Sequence, residues 1–308
     1  MNKLFLIPLA GSIALFSACN SGPKVNTAEL NEALENKSTE EKKQVEESIV
    51  QVDPAEINQI INSIPSPLQI GFLIKETGGE YNRNYLNPPD KLDQYDNSYS
   101  KALNLGIYGA DLAYTNIYNQ KADGGEYLSA VRGLAEDLSI DKFFELSTIT
   151  RLIKNNDNLD SLLMITTSNF EKINLYLQEN NRSHLSTLLL TGGWIEGLNL
   201  ICSVNEYNPN KELQERIGEQ KITLDQLLHL LSYYEKDAKI KPLINKLKEL
   251  ESVYKGIEIE TVEGESSFEE IDGVMMIIDN SYTVVRITDE QVNEIGRVIK
   301  EIRKSIIN

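Results

Sequence analysis

Two segments of the chain are apolar around most of a helix's circumference: YSKALNLGIYGADLAYTNIYN (99–119) and HLSTLLLTGGWIEGLNLICSV (184–204). Neither contains proline, and each is long enough for several turns, so both are predicted to be buried helices at the centre of a bundle. In the first, Asn104, Tyr108, Asp111, Thr115 and Tyr118 recur at steps of four, three, four and three, a narrow polar stripe on an apolar helix. Gly106, Gly109, Ala110 and Ala113 lie on other faces, where they leave room for a neighbouring backbone. A glycine inside a helix costs about 0.5–1 kcal/mol against alanine, so these positions need a packing reason. The second segment sets Gly192, Gly193 and Gly197 around Trp194 and carries a shorter polar line of Glu196, Asn199 and Ser203. The two align as Gly106/Gly192, Tyr108/Trp194 and Leu112/Leu198, which hints at a duplicated helical unit, although no known short helical repeat fits.

The same periodicity runs through the rest of 53–308. Asp53-Pro54-Ala55-Glu56 and Ser66-Pro67-Leu68-Gln69 each place a capping side chain before a first-turn proline, predicting helices that end near 64 and 77. A loop with Asn87-Pro88-Pro89-Asp90 follows Gly78-Gly79, and its Tyr81, Tyr85 and Tyr95 pin it across the bundle or line a pocket mouth. Further helices are expected at about 125–138, from an Asp141 cap through Ile153, and from Leu159 to about 180. Asn180-Asn181-Arg182-Ser183 then turns the chain into the Trp194 helix. Thr223 and Gln226 have the spacing of a capping box, Ile240 to Tyr254 mark the next helix, and Thr288 with Gln291 cap a last one striped by Val292, Ile295, Ile299, Ile302 and Ile306. At about 257–287 the period changes to two, and VMMII and YTVVR flank Asp279-Asn280-Ser281, predicting a small β-hairpin or three-stranded sheet. The expected fold class is mainly α: a multi-helix antiparallel bundle with a small β element before the C-terminal helix.

The N-terminus is of another kind. Residues 1–18 have one basic residue, an apolar run too short to span a bilayer, and small residues before Cys19, the pattern of an export signal. Phe16-Ser17-Ala18-Cys19 after Leu15 resembles a bacterial lipobox, with Phe16 where leucine is usual; the resemblance implies cleavage before Cys19 and its acylation, including palmitate. A multiply acylated cysteine anchors a protein stably, at about 0.8 kcal/mol per buried methylene, without a transmembrane helix. No later stretch is expected to cross a membrane. Residues 19–52 are polar and charge-rich, a lipidated flexible tether, and 53–308 form one helical domain. Asn-Ser-Gly-Pro-Lys after Cys19 lacks an acidic run, which in lipoproteins of Bacteroidota, whose signal this one resembles, favours the surface; the expected location is the periplasmic face of the outer membrane.

Charge narrows the partners. Thirty basic residues stand against 47 acidic ones, a formal net charge of −17, so nucleic acid and anionic lipid heads are repelled. The membrane is reached through the acyl chains on Cys19. With Cys19 acylated, Cys202 has no disulfide partner and reads as a small buried hydrophobe.

Catalytic chemistry is sparse. His184 and His229 have no second ligand three or four residues away, so no metal is expected, and no cofactor motif is present. Thr191-Gly192-Gly193-Trp194 sits within an apolar helix rather than opening one, and Ser129 and Ser186 lie in no nucleophile elbow. The constellation worth following is Asn104, Tyr108 and Asp111 on the first central helix with Trp194, Glu196 and Asn199 on the second. Packed face to face, they bring two carboxylates and two amides together as a candidate ligand-binding groove, where a paired carboxylate has a raised pKa. Otherwise each carboxylate sits on a solvated edge or pairs with a cation such as Lys101, Arg151 or Arg182.

The runs ALNLGIYGADLAYTNIYNQ, NLDSLLMITTSNF, NRSHLSTLLLTGGWIEGLNL and IGEQKITLDQLLHLLSYY resemble a family of exported, mainly helical lipoproteins of Bacteroidota whose function is unknown. The resemblance covers roughly Ile57 to the C-terminus and implies an envelope lipoprotein, without catalytic residues to carry over. The expectation is a non-enzymatic, outer-membrane-anchored periplasmic lipoprotein whose bundle binds an envelope protein; the alternative is a small-ligand receptor or enzyme using the groove at Asp111 and Glu196.

Overall fold

A computed structural model describes residues 59–60, 64, 66–154, 158–264, 267–271, 274–278 and 281–308. The signal sequence, Cys19, the tether and the first turns of the helix expected from Asp53 lie outside them, though Gln59 and Ile60 are helical. The described chain belongs to one compact unit, 48–308. In order it forms α1 (Pro67–Glu76), α2 (Ser98–Ile117), α3 (Lys121–Asp137), α4 (Leu146–Lys154), α5 (Leu159–Glu179), α6 (Ser183–Tyr207), α7 (Lys211–Ser232), α8 (Lys241–Tyr254), β1 (Glu258–Val262), β2 (Ser267–Ile271), β3 (Val274–Ile278), β4 (Tyr282–Arg286) and α9 (Asp289–Ile307).

The two segments marked by their hydrophobicity are α2 and α6, and they form the most extensive helix pair of the bundle. Their crossing is made by glycine. A Cβ on Gly106 would lie 2.0 Å from the Leu189 carbonyl oxygen, and one on Gly192 would lie 2.0 Å from that of Leu103. Each glycine therefore meets the carbonyl three residues before the other, a locally two-fold contact in which the replaced Cα hydrogen points at a carbonyl oxygen. This reciprocity accounts for the matching Leu-x-x-Gly spacing of the two segments. Around the pair, α3 packs on α2, α1 and α7 on α6, and α9 on both α6 and α8. By length and composition α6 is apolar enough to cross a membrane, contrary to the expectation from sequence, but it is almost wholly buried among the other helices.

Short connections are produced by one repeated device. Gly78, Asn119, Ser139 and Asn181 each have a positive φ just past a helix end. The following N–H of Gly79, Gln120, Ile140 or Arg182 donates to the carbonyl of Ile74, Thr115, Ala135 or Leu177, at 2.7–2.9 Å. Gly78 and Asn181 were legible as breakers; Ser139 was not.

The caps at Ser66 and Thr288 form as expected, and Thr288 and Gln291 complete a capping box. Two expectations are corrected. Thr223 and Gln226 lie inside α7, whose cap is Asn210, accepting from the Glu212 and Leu213 amides. Asp141 opens a short 3-10 turn rather than α4. The small β element takes the hairpin form of the two expected: among the described residues β2 pairs antiparallel with β3, and β1 pairs antiparallel with β4, Ile259 opposite Val285, with no third strand in either sheet. The loop tyrosines divide. Tyr81 stacks on Tyr114 and Tyr95 is buried, pinning the loop, while Tyr85 stands at the rim of a pocket.

Candidate functional site

The stripe on α2 and the line on α6 do face inward: Asn104, Tyr108, Asp111, Thr115 and Glu196 are fully buried. The cation that meets them is none of those the sequence offered. Arg303, on α9, donates through Nε and Nη2 to both carboxylate oxygens of Glu196, the Nη2 bond being 2.8 Å long. Its Nη2 also donates to the Tyr85 carbonyl at 3.2 Å. Lys101 instead pairs with Asp137. Arg303 continues the ridge of Ile295 and Ile299 at four-residue steps, a charged side chain on the inner face of an apolar stripe.

The loop before α2 closes the other side. Asn87 donates its backbone N–H to Asp111 Oδ2 at 3.1 Å and its side-chain amide to the Tyr95 hydroxyl at 3.1 Å. The Tyr108 hydroxyl donates to the Pro88 carbonyl at 2.8 Å, and the Asn104 amide to the carbonyls of Ser100 and Ile306. Trp194 does not join the group; its indole N–H donates to Gln220 on α7 at 2.9 Å.

Two carboxyls and one guanidinium buried together hold one negative charge too many. Burial, then the neighbouring Glu196 carboxylate, pushes the Asp111 carboxyl well above its ordinary range, against the opposing pull of Arg303 and the Asn87 amide. Asp111 Oδ1 meets no donor among the described residues. A proton on Asp111, donated to Glu196, resolves both facts. Burial weakens the Arg303 cation, but Glu196 more than compensates, so it stays charged. Both carboxyls are engaged, by Arg303 and by the Asn87 amide, and the cluster ties α2, α6, α9 and the loop into one register. The expected groove at Asp111 and Glu196 is therefore filled by Arg303 and covered by the loop.

The sign of the Asp111 shift is testable. The folded carboxyl keeps its proton above the unfolded value near 3.9, so its contribution to stability is full below that pH and is lost as pH rises toward the folded pKa, at about 1.4 kcal/mol per unit. Asp111→Asn imitates the protonated acid. It is expected to match the parent near pH 4 and to become progressively more stable than it toward pH 8, read by urea denaturation at each pH. A stability difference independent of pH would show that the folded Asp111 is ionised.

Two other features stand open. An apolar cleft of about 540 Å³ runs beneath α4 and α5, with Gly106, Gly109, Ala110 and Ala113 of α2 as its floor and Leu163 and Phe170 of α5 in its wall. No Asp, Glu, Lys, Arg or His is among its described lining residues. Gly109 admits no neighbouring backbone, contrary to expectation: a Cβ there would meet nothing within 4 Å. A polar pocket of about 510 Å³ lies between the C-terminal half of α6 and α9, where Asn199, Ser203, Lys300 and Arg303 meet. Of the predicted site residues, only Asn199 reaches it.

Among the described residues no group of three His, Cys, Asp or Glu is placed to hold a metal ion. His184 packs edge-on to Tyr234, and His229 bonds the Tyr233 hydroxyl. Burial pushes the Cys202 thiol up to about 12, an unreactive state. Comparison with protein-family models, curated proteins and solved structures finds no match for the chain.

Proposed function

We propose that the chain is a lipoprotein held by acyl chains on Cys19 at the periplasmic face of the outer membrane, and that its body works by binding rather than catalysis, taking an acyl chain into the apolar cleft. The observation that carries the reading is the lack of any charged side chain among the described residues of that cleft, in a chain of which 25% is charged. Its volume falls within the roughly 300–1,000 Å³ typical of small-ligand pockets. A neutral, flexible hydrocarbon suits such a lining, gaining about 0.8 kcal/mol per buried methylene before ordering costs. A tether from an acylated cysteine keeps the cleft within reach of lipid.

The test uses the chain from residue 19 with Cys19→Ser and the neutral fluorophore N-phenyl-1-naphthylamine, displaced by palmitate. Gly109→Leu projects into the open space of the cleft while removing a helical glycine, worth about 0.5–1 kcal/mol. It is expected to cut probe affinity at least tenfold and to raise the unfolding midpoint. Undiminished binding by this variant sinks the acyl-chain reading.

An envelope protein partner is the second reading. Met164 and Leu175, three turns apart on the outer side of α5, are 65% and 55% exposed, two apolar side chains set among polar ones that a partner could cover. Crosslinking in cells through α5 is expected to capture one specific envelope protein, and recovery of none counts against it.

A further inference from the structure

We propose that the polar pocket between α6 and α9 is a second binding site, distinct from the acyl cleft, that takes a neutral sugar. Three observations converge on it. Asn199 and Ser203 are only 4% and 8% exposed, line the pocket, and find no hydrogen-bond partner for their side chains among the described residues. An amide and a hydroxyl one turn apart on one helix face, both uncommitted within the described chain and both lining the pocket, are free to bond a ligand there. Arg303 is the second observation. Its Nε and Nη2 are spent on Glu196 and Tyr85, which fixes the guanidinium plane, while its Nη1 makes no hydrogen bond among the described residues and Arg303 lines the pocket. That is a preorganised donor, held still by the buried ion pair behind it.

Charge and aromatic surface then select the ligand. Arg303 is neutralised by Glu196, and Lys300 is paired with Glu206 across the rim, so the pocket carries no net charge within a strongly acidic protein. An anion gains little there. What remains is a mixed set: a guanidinium donor, a hydroxyl and an amide that both donate and accept, and a carboxylate acceptor. Sugar hydroxyls, each donor and acceptor at once, match that set. Tyr207, 87% exposed, and Tyr85 supply ring surface for the apolar face of a pyranose.

Saturation-transfer NMR on the chain from residue 19 with Cys19→Ser tests this with methyl glycosides of glucose, galactose, mannose and N-acetylglucosamine, alongside glucuronate and N-acetyl-dialanine. Transfer to at least one neutral glycoside is expected, lost in Tyr207→Ala and in Asn199→Leu, and retained in Gly109→Leu, which blocks only the cleft. Tyr207 is too exposed for its truncation to unfold the protein, and the unfolding midpoint of each variant confirms that its fold is kept. Transfer to none of the neutral glycosides, transfer only to glucuronate or the peptide, or transfer that survives Tyr207→Ala and Asn199→Leu overturns the proposal.

Discussion

Gly192→Ala is expected to destabilise the protein by about 3 kcal/mol, the upper end of the usual cost of overpacking. The reason is what the added methyl meets. Its carbon would sit 2.0 Å from the Leu103 carbonyl oxygen and 2.8 Å from that carbonyl's carbon. These are backbone atoms of a helix, so no rotamer change relieves the clash; α2 and α6 must move apart along their whole contact. The alanine returns about 1 kcal/mol of helix propensity, which is too little to offset it. Gly106→Ala should behave alike, since its Cβ would lie 2.0 Å from the Leu189 oxygen and 2.6 Å from the Gly193 nitrogen. The pair makes a sharper prediction than either variant. Once one methyl has separated the helices, the second meets less resistance, so the double variant should lose clearly less than the sum of the singles. Gly109→Ala, on the same helix but facing open space, should gain stability instead. Guanidinium denaturation of all four gives the answer, and strict additivity, or a Gly192→Ala midpoint equal to the parent's, would mean that the helices do not cross on these glycines.

The contrast between Gly106 and Gly109 marks a limit of sequence reading. Both are small residues in an apolar helix, and the pattern alone assigned both to close helix contact. Both border the cleft, but one admits a neighbouring backbone and the other meets only open space. A missing side chain is the same signal in either case, and only the position of the neighbouring helix separates them. Periodicity, by contrast, carried the bundle well, because each buried face must repeat at three and four residues whatever it packs against. It failed where a local signal outranked it. Thr223-x-x-Gln226 has the spacing of a cap, yet Leu213, Ile217, Gln220, Leu224, Leu227 and Leu231 form one unbroken stripe through it. For the strands, alternation gave the element type but not the partner, since pairing is settled by the nested return of the chain rather than by residues within either strand. At the polar cluster, the inward stripe was legible and its counter-ion was not. Arg303 comes from 107 residues beyond Glu196. Its one local trace is its place on the ridge of Ile295 and Ile299.

Arg303→Met is expected to remove about 3–5 kcal/mol, because breaking a buried ion pair from one side leaves an uncompensated charge. Methionine keeps much of the arginine's length and apolar stem, so the loss reports the charge rather than a cavity. The two partners are not equivalent. The Glu196 side chain has no exposure, whereas that of Arg303 is 12% exposed and borders the polar pocket, so a stranded arginine can recruit water and a stranded glutamate cannot. Glu196→Gln should therefore cost less than Arg303→Met, and Arg303→Lys should rescue little, since an ammonium cannot hold both carboxylate oxygens and the Tyr85 carbonyl at once. In the double variant Arg303→Met/Glu196→Gln no charge is left buried, and most of the loss should return. The deficit of Arg303→Met should also shrink as pH falls, because the stranded carboxyl can then fold protonated. Since folded domains are stable by only about 5–15 kcal/mol in total, the single variant should unfold at a visibly lower urea concentration. If instead Arg303→Met unfolds with the parent's midpoint, or the double variant recovers nothing, the ion pair does not hold α6 and α9 in register, and the Arg303 guanidinium is not the fixed donor that the polar pocket requires.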